Sequence, residues 1–571
     1  MVIIKRFIER IGIYLFFICL ILFTQLNWAK RHGDFSDIEL RLFLGFFSGA
    51  IIAYGVSKIL QKLFPQTIGE PENLNNLSMI LSPGVLFLFA SLNTVFLLVG
   101  CMLCIVIALY IWLKIKGRIK KNIFIVSYVL VVFILMYSTG EIALRIVYHD
   151  GESPICKGPG GKRIKYNFNK LGLRGPRTTG PKQKGVKRIL LQGDSITWGI
   201  CVKDWRNLYP QKLFALLNHG QKKYEMDVYA KPAREIDSHL WILHRVVKKK
   251  NPDIIIYQWF VNDIEIDKSG RPKNVPTFWR NFPFHRYLRK HSYLWFFLNN
   301  RFEALAPLLN LKLSYHDYLK KDFANGTGKW TRFEIVFREW LREATDVAGQ
   351  TIILLYPSLP YHGLRGKRYQ LQKLHDRVAE ITKSNLLKIP AYTMPMIVGE
   401  NKTEAASTYG TVRKAEQGRD NKGVLVYGPF MELKRGDYLA SFRMKINNLT
   451  TDIVATLDVV AENRSHILAE EKISGSDFGK PFVWKVFKLP FMINKNDEKK
   501  VEFRVSYAGF GILAVDQIVI KLPPLKNKIK TIDLTKYLKD MDTHSSLFDA
   551  HPNKKVHRKI ANILFGEMKQ L

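Results

Sequence analysis

The sequence predicts a helical, membrane-spanning N-terminal region followed by a three-layer α/β domain into which an all-β sandwich is inserted. Three observations predict it. Long uncharged apolar runs crowd the first 150 residues, strand-like and helix-like patterns alternate from about 186 to 390, and short alternating runs separated by Gly, Asn and Asp fill about 400 to 525. At 571 residues the chain is too long for one ordinary domain.

The N-terminal runs cover 11–28, 41–60, 78–114 and 122–146, each long enough at ~20 residues per crossing to span a bilayer. No small-residue cleavage site follows the first, so it does not read as a removable signal. The basic loop "LKIKGRIKKN" assigns the third connection to the cytoplasm and sends the last span outward, and the uncharged-to-acidic loop "PQTIGEPENLNNLS" suits the outer face. About four spans follow, or five if 78–114 is a hairpin. Either count expects a multi-pass bacterial inner-membrane protein, in contact with membrane lipid, with everything after residue 150 extracytoplasmic. Of five cysteines, Cys19, Cys101 and Cys104 fall in apolar runs as small packing residues, whereas Cys156 and Cys201 are candidates for a disulfide.

After a basic, Gly/Pro-rich linker over 150–187, the α/β pattern begins with "RILLQG" and continues through a helix from Trp205 to Leu217, "YEMDVYA", a helix through "SHLWILHRVVKKK", "PDIIIYQWF", "TIILLYPS" and the helical "YQLQKLHDRVAEITK". Alternation of this kind specifies a mostly parallel sheet. From there "GVLVYGPFMEL", "GDYLASFRMKI", "IVATLDVVAE", "WKVFKLPFMI", "KVEFRVSYAG" and "ILAVDQIVIKL" read as sandwich strands. A final strand, "IKTIDLTKYL", and a closing helix, "KKVHRKIANILFGEM", need the first sheet to pack against. The expected parts are therefore 1–149 for the membrane region, 188–395 and 526–571 for the α/β domain, and 396–525 for the insert.

The chain carries 87 Lys and Arg against 49 Asp and Glu, a formal charge of +38, with cations scattered throughout. No helix-turn-helix, zinc-finger or RNA-binding signature accompanies them, so nucleic acid is not an expected partner. The polyanions left are acidic headgroups and anionic glycans, beside the plainer reading of a solvated basic surface.

In "RILLQGDSITWG" Ser195 stands between the end of a strand and the next helix, where open α/β sheets place their ligands and where turns also favour serine. A serine nucleophile needs a base, a group to orient that base, and donors for the developing oxyanion. "SSLFDAHPNKKVHRKIANIL" offers His551 as base and Asp549 as orienting carboxylate; Asn262, in "YQWFVNDIEID", offers a side-chain NH₂ at the end of another strand. "GDSITWG", "VND" and "DAHPN", in that order, resemble the sequence blocks of SGNH/GDSL hydrolases, and "NFNKLGLRG" and "KDWRNLYPQKL" resemble their membrane-anchored bacterial members. The resemblance covers about 165–390 and 526–571. It implies a flavodoxin-like α/β fold, Ser195 as nucleophile, His551 as general base, and an oxyanion hole formed by the N–H groups of Ser195 and Ala233 with the Asn262 side chain.

This chain departs from the family pattern at three places. Ala233, in "AKPAREID", stands where the second block has glycine; Phe260 stands where the third block has glycine; and the usual Asp-x-x-His is Asp-x-His, with Phe548 at the expected carboxylate position. His557, inside the closing helix, is the weaker candidate base. The insert resembles jelly-roll-like carbohydrate-binding modules in its pattern of strands and turns. The function implied is an esterase removing acyl, foremost acetyl, groups from an O-acylated envelope or exported glycan, with no metal or organic cofactor. An O-acyltransferase using the same residues and an inactive glycan-binding protein are the alternatives.

Overall fold

β1 (Lys187–Gly193), β2 (Tyr224–Ala230), β3 (Ile254–Trp259) and β4 (Gln350–Leu355) are short strands with apolar centres, and β1 and β3 are buried almost end to end. They belong to a computed structural model that describes residues 137, 138, 140–142, 144, 166–178, 180–266, 285–307, 309–360, 363–461, 466–494, 498–546 and 549–570. Strands apolar on both sides need cover on both faces of a parallel sheet. The helices Ile236–Lys250 and Gly328–Val347 pack on each other, as do Tyr209–Leu217 and Lys554–Lys569, and their apolar faces share one core with Ile189, Leu191, Ile255, Tyr257 and Leu354. The helix expected from Trp205 begins at Tyr209 instead; Pro210 lies in its first turn, where a missing N–H costs nothing.

The chain then builds two antiparallel sheets. Their strands are β5 (Leu386–Pro390), β6 (Glu400–Thr403), β7 (Thr411–Glu416), β8 (Gly423–Val426), β9 (Pro429–Leu433), β10 (Gly436–Ile446), β11 (Ile453–Ala461), β12 (His466–Ser474), β13 (Lys485–Ile493), β14 (Glu498–Tyr507) and β15 (Ile512–Lys521). One sheet runs β13-β10-β15-β7-β6 with β5 also on β15, and the other β12-β11-β14-β8 with β9 also on β14. Burial alternates strictly along β10 and β13, which is how a strand with one core face and one solvent face is written. Phe442, Phe491, Phe503 and Tyr507 fill the interior, so most strand aromatics here are core. The run "GVLVYGPFMEL" is two strands, and Leu386–Pro390, expected to stay with the α/β part, pairs with β15.

β16 (Ile529–Asp533) returns to the first sheet, parallel to β4, and completes the order β16-β4-β3-β1-β2. Entry and exit of the long excursion meet: Leu522 N–H donates to Asn385 O at 2.9 Å, and Asn385 Nδ2 donates to Leu522 O at 3.0 Å. β17 (His544–Ser546) and β18 (Asp549–Pro552) form a hairpin before the last helix.

Among the described residues, 137, 138, 140–142, 144 and 285–299 belong to a compact unit of their own. No helix among the described residues is long and apolar enough to cross a membrane. This overturns the expected transmembrane helical region, the fold class built on it and the multi-pass membrane localisation. The runs 11–28, 41–60 and 78–114, with Cys19, Cys101 and Cys104, lie outside the described residues. Of 122–146, the described part is helical and carries an acidic side chain inside: Glu141 is fully buried and accepts hydrogen bonds from Ser292 Oγ (2.8 Å), Tyr293 N–H (3.0 Å) and Leu294 N–H (2.8 Å). It thereby caps the start of the helix Tyr293–Leu305. The longest described helix, Gly328–Val347, is amphipathic, with Arg332, Glu339 and Glu343 on its more exposed side.

Candidate active site at the sheet edge

β1 ends at Gly193, where a Cβ would collide with Thr197 Oγ1. The missing side chain lets Asp194 turn the chain and cap the four-residue helix Ser195–Trp198, its Oδ1 accepting the Ile196 N–H at 2.9 Å. Ser195 is therefore the first helical residue, so its N–H has no acceptor within the helix. Its side chain is 8% exposed, and its Oγ–H donates to Asp194 Oδ2 at 3.4 Å. Beneath it, Thr197 Oγ1 donates to Gln258 Oε1 at 2.8 Å and meets Tyr209 OH at 2.7 Å, pinning the turn to β3 and to a helix.

The turn beyond Ser195 is held by a residue whose role the sequence did not reveal. Arg174 donates to the carbonyls of Trp198 (3.0 Å), Gly199 (3.1 Å), Asn167 (3.3 Å), Lys203 (3.3 Å) and Val202. Its guanidinium lies 4.4 Å from the Tyr166 ring centre and 4.7 Å from that of Trp198. Burial lowers its pKa to about 10, which leaves it charged at neutral pH. "NFNKLGLRG" was visible as a motif; that its arginine serves five carbonyls, four of them 24 to 29 residues downstream, was not. Cys201, on the same turn, is disulfide-bonded. The partner expected for it, Cys156, lies outside the described residues.

The loop after β2 is tied to the end of β1 by Lys231 N–H donating to Gly193 O at 3.4 Å. In it Ala233 has φ +60°, the left-handed conformation that glycine adopts freely and alanine rarely. After β3, Asn262 is the second residue of a 3₁₀ turn over Val261–Ile264, and its side chain helps hold the Asp194 pKa down against burial. Phe260 has an extended backbone (φ −133°, ψ 159°), so nothing there requires glycine; its ring rests 5.9 Å from that of Tyr356. Asp263, fully buried, accepts from Tyr257 OH (2.9 Å) and Phe260 N–H (2.8 Å). Burial, and then the neighbouring Asp194, push its carboxyl well above the usual carboxylate range.

His551 sits on the β17–β18 hairpin, which packs against the Ser195 helix. The hairpin is anchored on the loop after β4: His544 Nε2 donates to Leu359 O at 2.7 Å and Thr543 Oγ1 to Pro360 O at 3.2 Å. His551 acts electrostatically on Asp194, whose pKa is raised by burial and pulled back by the Ile196 N–H, by His551 and by the Asn262 and Ser195 side chains. The structure thus brings the Ser195 helix, the Asn262 turn and the His551 hairpin to one edge of the sheet. The side chain of Asp549, and Phe548, lie outside the described residues. His557 is fully buried and accepts the Tyr209 N–H at Nδ1 (3.2 Å); burial, then Arg174 and Lys212, lower its pKa to about 3, so it is a neutral acceptor behind the site. Among the described residues no cluster of three or more His, Cys, Asp or Glu is placed to hold a metal.

No family model matches the chain, and no curated protein matches it. Among solved structures, the C-terminal CBM6 module of the laminarinase LamC from Zobellia galactanivorans is similar over 24% of this chain and 99% of its own, at 15% identity and a TM-score of 0.17. The module CBM6cm-2 of Cellvibrio mixtus lichenase 5A, solved with cellotriose, is similar over 24% and 97%, at 13% identity and 0.18. The acetylxylan esterase Axe2 from Geobacillus stearothermophilus is similar over 35% of this chain and 74% of its own, at 14% identity and 0.19.

Proposed function

We propose that this chain is an SGNH-type serine esterase that removes acyl groups, foremost acetyl, from an O-acylated glycan. What supports the reading is Ser195 in the turn capped by the buried Asp194, at the carboxyl edge of a parallel sheet, with the His551 hairpin packed on its helix and Asn262 on the turn after the neighbouring strand. Ser195 Oγ attacks the ester carbonyl while His551 takes its proton; the alcohol leaves with that proton, and water, deprotonated by the same imidazole, releases the acid. The Ser195 and Ala233 N–H groups and the Asn262 NH₂ receive the oxyanion. Asp549, on the same hairpin, orients His551. The glycan half of the reading draws on the patterned resemblance of the β5–β15 sheets to carbohydrate-binding modules.

The test is the hydrolysis of p-nitrophenyl acetate and of an acetylated xylan by the full chain. Ser195→Ala should abolish release of acetate from the xylan and sharply lower that from p-nitrophenyl acetate, and Asn262→Ala should lower kcat by ~10²–10³. Equal rates for wild type and a folded Ser195→Ala variant on both substrates would overturn the assignment.

A further inference from the structure

Ser358 follows the last residue of β4 by three positions, as Asn262 follows the last residue of β3, and those two strand ends, Leu355 and Trp259, are register partners. It therefore emerges on the same sheet edge as Ser195. Its Oγ lies 3.1 Å from His316 Nε2, and His316 Nδ1 lies 3.3 Å from Gln370 Oε1. A carboxamide oxygen only accepts, so Nδ1 carries the proton and Nε2 turns a lone pair to the hydroxyl. Burial lowers the pKa of His316, so the imidazole is neutral and able to take a proton. Hydroxyl, base and orienting group are thus in line.

The backbone of Ser358 is held just as firmly. Its N–H donates to Tyr369 Oη at 3.0 Å; that phenol lies 3.3 Å from His375 Nε2, and His375 Nδ1 lies 3.3 Å from Asp533 Oδ1. A carboxylate only accepts, so His375 Nδ1–H donates to Asp533 and the chain is fixed at that end. Tyr369 and His375 are buried, whereas Ser358 is half-exposed and open to a reagent. The next two carbonyls, of Leu359 and Pro360, are those that anchor the His551 hairpin.

We propose that Ser358 is a second nucleophilic serine, with His316 as its general base and Gln370 as the residue orienting that base, acting on carboxylic esters. The Oγ–carbonyl carbon bond forms as the Oγ proton passes to His316 Nε2; the bond from carbonyl carbon to alkoxy oxygen then breaks, and the departing oxygen takes that proton. Water, giving a proton to His316, displaces the acid and returns Ser358 to its starting state. None of this depends on the role of Ser195.

The full chain and its Ser195→Ala variant are treated with an alkyl fluorophosphonate, which phosphonylates nucleophilic serines and releases fluoride, and the adducts are located by peptide mass spectrometry. Ser358 should be labelled in both proteins, and at least about 100-fold more slowly in His316→Ala. Gln370→Leu, an exposed substitution that leaves the core untouched, should slow labelling by a smaller factor. An unlabelled Ser358 in the Ser195→Ala protein, or labelling of His316→Ala at the wild-type rate, would overturn the proposal. An adduct on Ser195 alone removes this second site and leaves the esterase reading in place; an adduct on Ser358 alone does the reverse.

Discussion

Ala233 is held at φ +60°, a conformation costing an L-residue roughly 1–2 kcal/mol, of which glycine's freer unfolded state would take back roughly 0.4–1. Ala233→Gly should therefore raise stability by up to about 1.6 kcal/mol, read as a higher urea midpoint with unchanged slope; a lower midpoint would mean that the alanine methyl has a packing role. His557 makes a prediction of opposite kind. Its pKa is about 3 in the folded chain and ~6.5 in the unfolded one, so between those values the unfolded state binds a proton that the native state refuses. Stability should fall as pH drops from about 6.5 towards 3, and urea titrations of His557→Gln should show a shallower fall over that window; an unchanged slope would assign the acid sensitivity to other groups. On the esterase reading, Ser195, Asn262 and His551 are legible at this scale because each is flanked by residues that shape its own turn. Arg174, His316 and Ser358 are not, because their partners lie tens of residues away and only the fold brings them close.

The turn after Ser195 makes few backbone hydrogen bonds of its own, Val202 N–H to Gly199 O among them, and Arg174 takes up carbonyls along it. Arg174→Met should leave buried carbonyls unsatisfied and destabilise the chain by ~3 kcal/mol or more, and Arg174→Lys should recover little, since an ammonium cannot reach five acceptors in a plane. Thermal unfolding of both variants decides it; a lysine variant as stable as wild type would show that charge alone suffices. The β17–β18 hairpin is positioned in a comparable way, by His544 on Leu359 O. On the esterase reading, His544→Ala should lower kcat for p-nitrophenyl acetate by ~10–100-fold with KM little changed, because a base displaced by an ångström loses that much. Regular elements were readable where pattern and period coincide: Tyr224–Ala230 and Lys554–Lys569 appear as the sequence spells them. The hairpin was not, for in "SSLFDAHPN" nothing alternates, and its pairing rests on Ser545 Oγ donating to His551 O at 2.7 Å and on Asn553 spanning two carbonyls.

For the whole molecule, the meeting of Asn385 and Leu522 sets where the sandwich can be removed. Joining Asn385 to Leu522 deletes β5 to β15 and leaves the ends already in contact, so the shortened chain should fold and keep its Ser195 chemistry. Deleting 396–525 instead leaves β5 without the β15 edge it pairs with, and that chain should aggregate. Soluble yield and fluorophosphonate labelling of the two deletions separate the outcomes. The alternation of strands and helices revealed the sheet, but not that Leu386–Pro390 changes partner, because an apolar run of that length suits either sheet. Nor did apolarity in the first 150 residues reveal what covers it: Glu141, a carboxylate within such a run, is satisfied by another helix's first turn. One feature of the topology also bears on synthesis. β1 and the Ser195 turn leave the ribosome well before β16, the His551 hairpin and the helix that follows it. A nascent chain thus carries its serine long before its imidazole, and on the esterase reading hydrolysis at Ser195 begins only once the His551 hairpin has emerged and docked.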